Sequence, residues 1–216
     1  MQKKKTYAVF GLGRYGTAVA RELVANGMEV IAVDSDSRLV NDAAAFLPIC
    51  KCADVTDPEV IARFGLDGVD TVIICMASSL EASVLAIAHC KDIGIKNIIA
   101  KCANEMHKKI LSCVGATEVV FPEDESGTRL AKNLVSSGII DMISLSEHVS
   151  MVEVDVRSEW VDKNLIELNL RKKYGMNIVA IKDGEEVDIN INPEKVLKEG
   201  MILIVIADTS KLNKLM

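Results

Sequence analysis

Between residues 7 and 121 short apolar runs alternate with longer amphipathic stretches, and few folds accommodate that rhythm. The runs fall at 7–10, 30–33, 49–52, 71–75, 97–100 and 118–121, most of them rich in Val and Ile, and helical spacing fills the intervals at 15–26, 37–46, 58–64, 80–93 and 105–114. A strand covered on both faces reads as a continuous apolar run, and β-α alternation imposes right-handed crossovers on a parallel sheet. The expectation is therefore an α/β fold, a Rossmann-like doubly wound parallel sheet of six strands. Gly27, Gly94 and Gly115 stand where helices should stop, and Pro58 suits a first helical turn.

Beyond residue 121 the rhythm changes. Pro122 precedes the acidic triplet Glu123-Asp124-Glu125, and residues 128–135 have helical spacing that Ser136-Ser137-Gly138 should end. Ile139 to Ile143 reads as the start of a second apolar helix. Two consecutive helices without a strand leave an apolar face that packs either on its own domain or on another subunit. From Val149 the period becomes two, with Val152, Val154 and Val156 alternating with Glu153 and Asp155. A short helix near 165–170 and strands at 178–181, 187–191 and 202–206 complete a small α+β module. The expected division is 1–145, a nucleotide-binding domain with its crossover helices, and 146–216, a small ligand-binding module.

Composition narrows the function classes. Of the 216 residues 50% are hydrophobic and 26% charged, so the chain can form a packed core and is not disordered. A net charge of -6 excludes a nucleic-acid binder held by its overall field. The longest apolar run, 201–207, has the length of a strand and not of a bilayer span, and Lys3, Lys4 and Lys5 read as a solvated leader with no signal region behind them. A cytoplasmic protein without direct membrane insertion is expected. Among the six cysteines, Cys50, Cys52, Cys75, Cys90, Cys102 and Cys113, none has CxxC spacing. Cys75 and Cys90 read as buried thiols, and Cys50 and Cys52 as strand residues.

The chemistry concentrates in Gly11-Leu12-Gly13-Arg14-Tyr15-Gly16, which follows the first strand and opens the first helix. The first glycine permits a tight turn, the second admits a diphosphate to the backbone, and the third lets helix and strand pack closely. Asp34 ends the second strand 18 residues after Gly16, where a carboxylate accepts from ribose hydroxyls and repels a 2′-phosphate. Arg14 either points to water or meets a terminal phosphate. Asp36 either joins Asp34 at the ribose or caps the next helix. Asp54 lies either at an adenine edge or at the cap of the helix at Pro58. Ser78 and Ser79 follow the fourth strand, one of them a helix cap. Lys101 and Glu123 end the fifth strand and follow the sixth, to meet phosphate and a cation respectively or to stand as surface charges.

No histidine among His89, His107 and His148 sits in an obvious crevice, and no Walker A, GxSxG or HExxH motif occurs. The nucleotide reads as a ligand to be sensed and the chain as no enzyme. A small NAD-dependent oxidoreductase using the same loop is the alternative, with a Rossmann-type redox repressor third.

Residues 9–16, 31–34, 53–54 and 121–123, together with Leu168-Asn169-Leu170-Arg171-Lys172-Lys173-Tyr174-Gly175 and 178–181, resemble the RCK (KTN) regulatory subunits of bacterial potassium transporters, first their Ktr type and next their Trk type. The resemblance covers almost the whole chain. It implies homodimers assembled into an octameric ring on the cytoplasmic face of a membrane-embedded potassium-transporter subunit, gated by ATP against ADP, with NAD or NADH also open. It further implies Arg14 at the γ-phosphate, Asp34 and Asp36 at the ribose, Asp54 at the adenine side and Lys101 at the phosphates. Glu123 would hold a divalent cation such as Mg or Ca near the γ-phosphate, and the helix after Glu125 would pair subunits. Arg171, Asn177 and Ile178 match positions that bind cyclic di-AMP in relatives.

Overall fold

The computed structural model describes residues 4–66, 68–135, 139–146 and 148–208. The first compact unit, Met1–Pro122, carries the alternation read from sequence. In chain order its elements are β1 (Thr6–Phe10), α1 (Arg14–Ala25), β2 (Glu29–Asp34), α2 (Ser37–Ala43), β3 (Ile49–Cys52), α3 (Pro58–Arg63), β4 (Thr71–Ile74), α4 (Leu80–Asp92), β5 (Asn97–Lys101), α5 (Glu105–Val114) and β6 (Glu118–Val120). The strands form one sheet in the order β3-β2-β1-β4-β5-β6, every neighbouring pair parallel.

Successive residues of the central strands bury on opposite faces. Phe10 and Ile74 join a cluster with Ile61, Ile87, Ile98 and Leu111, while their neighbours Val9 and Ile73 join another with Ala20, Val40 and Leu47. Two covered faces explain why these strands show no polar alternation. Each such aliphatic or aromatic side chain contributes about 1.5–3 kcal/mol on full burial. Side chains also set the helix starts, with Asp57 accepting from Glu59 N at α3 and Asn104 from His107 N at α5. Gly27, Gly94 and Gly115 follow α1, α4 and α5 with positive φ, as expected.

The second compact unit is Glu123–Met216. Helix α6 (Pro122–Val135) leads to β7 (Ile139–Ser144), β8 (Val149–Asp155), α7 (Leu165–Leu168), α8 (Leu170–Tyr174), β9 (Asn177–Asp183), β10 (Glu186–Asp188) and β11 (Ile202–Asp208). The sheet is antiparallel in the order β10-β9-β11-β8-β7. Here one expectation is corrected: residues 139–143 form a strand and not a helix. Five apolar residues carry too little periodicity to separate the two, and pairing with β8 decides for extended backbone. Met142 reaches the core of this unit, and its N–H donates to Asn133 Oδ1 of α6 at 3.1 Å. By compactness α6 and β7 go with the second unit, whereas the sequence division placed them, through residue 145, with the first. The stop at 136–138, like Lys3, lies outside the described residues.

Trp160, the one tryptophan of the sequence, is 2% exposed in this second core. Its ring centroid lies 6.1 Å from that of Tyr174, and the Arg157 guanidinium stands 5.4 Å over it. Among the described residues no helix is long and apolar enough to cross a membrane.

The cysteines differ sharply in exposure. Cys90 and Cys102 are buried, Cys75 is half-buried, which corrects its reading as a buried core thiol, and Cys52 and Cys113 are exposed. Burial pushes the Cys75 and Cys90 thiols up to about 12, so both stay protonated at neutral pH. Brief iodoacetamide treatment of the folded protein at pH 8 should alkylate Cys52 and Cys113 and spare Cys75, Cys90 and Cys102. Peptide mass spectrometry would contradict this packing if Cys75 were modified as fast as Cys52.

Candidate functional site

Strands β1 and β4 are neighbours at the middle of the first sheet, and their connections leave in opposite directions along it. A crevice outside the carboxyl ends of the strands follows from that order. A cavity of about 460 Å³ lies there, lined by Gly11, Gly13, Asp34, Asp54, Ser78 and Ser79 among others.

The glycine loop is shaped by close approach. Gly11 has φ +91°, its N–H donates to the Val33 carbonyl at 2.8 Å, and an added Cβ would press on Met76 Cγ at 3.0 Å. At Gly16 an added Cβ would fall on the Gly11 carbonyl oxygen. Gly13 is different, with nothing within 4 Å of an added Cβ, because it faces the open side of the loop. It is also the N-cap of α1 and supplies no side chain to cap the amides that follow. Amides at a helix start and the positive end of the helix dipole favour a negative charge placed before them.

Asp34 braces this loop. Its Oδ2 accepts from Leu12 N at 2.6 Å and its Oδ1 from Asp36 N at 2.8 Å. Two carboxylate oxygens hold about four acceptor positions, so capacity remains for ribose hydroxyls. Asp36 caps α2 through Arg38 N at 2.9 Å and pairs with the Arg38 guanidinium at 2.8 Å, which holds its carboxyl below the usual range. It does not line the cavity. Asp54 accepts from Thr56 N at 2.9 Å and from Thr56 Oγ1 at 2.7 Å, and these bonds lower its pKa. The cap of α3 is Asp57, so Asp54 is left at the cavity. Ser79 both caps α4, accepting from Ala82 N at 3.2 Å, and lines the cavity beside Ser78.

The remaining expected residues lie apart. Arg14 opens α1 and lines a separate hollow of about 390 Å³ with Thr17, Arg21, Asp42 and Phe46. Lys101 ends β5, its Nζ 5.4 Å from the centre of the Tyr15 ring, and neither residue lines the cavity. Glu123 stands in the first turn of α6, in the second unit. Arg171, Asn177 and Ile178 do come together, lining a hollow of about 360 Å³ in the second unit with Leu165, Asn169 and Pro193. Sequence reasoning missed Thr56 and Cys75 as lining residues and His89, whose Nε2 lies 3.0 Å from the Thr56 carbonyl oxygen. A histidine on a helix carries no mark of such a contact.

Residues 7–122 match the TrkA-N domain and residues 149–216 the TrkA-C domain. Over 98% of this chain and 96% of the relative, the sequence is 37% identical to Ktr system potassium uptake protein C of Bacillus subtilis. The chain belongs to the Ktr family of TrkA-domain proteins. Ktr system potassium uptake protein A of the same organism is 31% identical at equal coverage. Among solved structures the GsuK RCK domain aligns over 99% of this chain with a TM-score of 0.68 at 18% identity, and the GsuK channel bound to NAD over 98% with 0.65. The chain spans 47% and 38% of those two chains, so the likeness concerns the RCK fold. The family resemblance and the doubly wound sheet with its small second module are both as the sequence indicates.

Proposed function

We propose that this chain is a nucleotide-sensing regulatory subunit of a potassium uptake system, without an enzymatic reaction of its own. The observation that carries the reading is the cavity at the carboxyl edge of β1 and β4, where an uncapped helix start, the glycine loop and Asp34 converge. Relatives named as Ktr system potassium uptake proteins support this reading, in which the partner is a membrane-embedded potassium-transporter subunit contacted from the cytoplasmic side.

A sensor must bind its ligands with different affinity in two states, since equal affinity shifts nothing. ATP and ADP differ by one charged phosphoryl group. In this reading Arg14 reaches the γ-phosphate from the loop, Lys101 faces the phosphates, and Glu123 holds a divalent cation. No three His, Cys, Asp or Glu side chains gather into a metal site among the described residues, so that cation would need nucleotide oxygens as further ligands. ATP favours the conducting arrangement of a ring of homodimers paired through α6, and ADP the closed one. The hollow at Arg171 and Asn177 takes cyclic di-AMP, whose phosphates suit the guanidinium.

Calorimetry with ATP, ADP and NAD tests the site. Arg14→Ala should weaken ATP about tenfold or more, the scale of one charge-assisted contact, and leave ADP within threefold. Unchanged affinity for both nucleotides would remove Arg14 as the discriminator. No thermal stabilisation by any of the three ligands would remove the site.

A further inference from the structure

The loop after β3 lines the cavity through Ala53, Asp54, Val55 and Thr56 and is held at several points. Ala53 N–H donates to the Asp34 carbonyl at 2.9 Å, and the Thr56 N–H and hydroxyl both donate to Asp54 Oδ1. The Thr56 carbonyl oxygen lies 3.0 Å from His89 Nε2. A carbonyl has no proton to give, so the ring nitrogen donates, which fixes the protonated atom as Nε2. His89 is half-buried on α4, ten residues after Ser79. Helix α4 therefore meets the cavity directly at Ser79 and Ala82, and again, ~15 Å further along its axis, through His89 and Thr56.

We infer that His89 is a positioning residue for recognition of the adenine base, an inference that rests on the nucleotide reading of this cavity. The chain of contacts is His89 to Thr56 carbonyl, then Thr56 N–H and hydroxyl to Asp54 Oδ1. Both Thr56 bonds fall on the same oxygen, so Asp54 presents Oδ2 as its acceptor. Asp54 is a carboxylate, hence acceptor-only, at neutral pH, and the Thr56 bonds favour that form further. With the C6 edge of the base at Asp54, the exocyclic amino group of adenine donates to such an oxygen, whereas guanine in the same pose places its O6 acceptor there; guanine could offer its own N1–H and N2 donors only by shifting in the cavity. Fixing Thr56 thus fixes the direction in which Asp54 reads the base.

The test compares ADP and GDP binding by calorimetry in the full-length protein for wild type, His89→Ala, His89→Gln and Thr56→Val, with a melting curve for each. His89→Ala should weaken ADP about threefold to tenfold, the span set by one hydrogen bond, while GDP changes little, so that base discrimination narrows. Glutamine carries an N–H at similar reach and should restore ADP affinity and discrimination. Thr56→Val keeps the carbonyl and loses the hydroxyl donor, and should narrow discrimination with the His89 contact intact. A purely structural role would lower the melting temperature without changing the ADP to GDP ratio. The inference is overturned if wild type binds ADP and His89→Ala binds both nucleotides as wild type does. It is equally overturned if His89→Gln melts like wild type yet fails to restore binding. Wild type that binds neither nucleotide overturns the cavity's assignment itself, and this inference with it.

Discussion

Gly13→Ala should weaken nucleotide binding at least tenfold in a chain that still folds, whereas Gly16→Ala should damage the fold and lose binding as a consequence. The two glycines stand three residues apart in one loop, but their surroundings differ. A methyl group at Gly16 falls on the Gly11 carbonyl oxygen and lies 3.2 Å from Cys75 Cβ. Neither neighbour is the end of a flexible side chain, so α1 must move away from β1. Overpacking of that kind costs typically about 1–3 kcal/mol, and in a chain of this size each kcal/mol lowers Tm by roughly 2–4 °C. At Gly13 the backbone φ of -62° suits alanine, and nothing lies within 4 Å of the added carbon. Its melting should stay close to wild type, as for surface changes within about 0.5 kcal/mol. The methyl group nevertheless occupies the approach of a diphosphate to the loop, and a loss of at least ~1.4 kcal/mol of binding, a factor of ten, is expected. Calorimetry with ADP beside melting curves separates the two effects. Wild-type affinity in Gly13→Ala would mean that phosphate does not approach this loop.

On the pairing of subunits proposed for α6, Leu130→Glu combined with Leu134→Glu should separate the paired subunits and lower the oligomeric state. The two leucines stand one turn apart on α6 and share a face, and they are 60% and 78% exposed. Pairing of α6 with that of a second copy through a two-fold axis would cover four leucines, each worth about 1.5–3 kcal/mol when fully buried. Four carboxylates in their place would be desolvated beside one another and would repel. Light scattering after size exclusion reads the outcome, with ADP affinity as a check that the first unit is intact. An unchanged oligomer in the double variant would exclude α6 as the pairing element, and a monomeric wild type would exclude the ring.

Much of the first unit was legible because its central strands are covered on both faces, so Val9-Phe10 and Ile73-Ile74 appear as unbroken apolar runs. Asp34 was legible for a related reason, since its distance from the glycine loop is set by one helix and one strand. Residues 139–143 were not, because a five-residue apolar run has no readable period and its conformation depends on β8. The aspartates divide along physical lines as well. Asp36 and Asp54 each stand where a short acidic side chain serves either backbone N–H groups or a ligand, and only folding shows that Asp36 engages Arg38 away from the cavity while Asp54 engages Thr56 at its wall. His89 was out of reach, since its partner lies 33 residues earlier and meets it only through the packing of α4.

The placement of the sole indole has a practical consequence. Trp160 belongs to the second unit and the glycine-loop cavity to the first. Intrinsic indole emission thus originates in the second unit, whereas the candidate nucleotide cavity belongs to the first. A quenching or spectral displacement on adding ADP would therefore report on the unit that does not carry the cavity, and the molecule would serve as its own optical gauge of a response there.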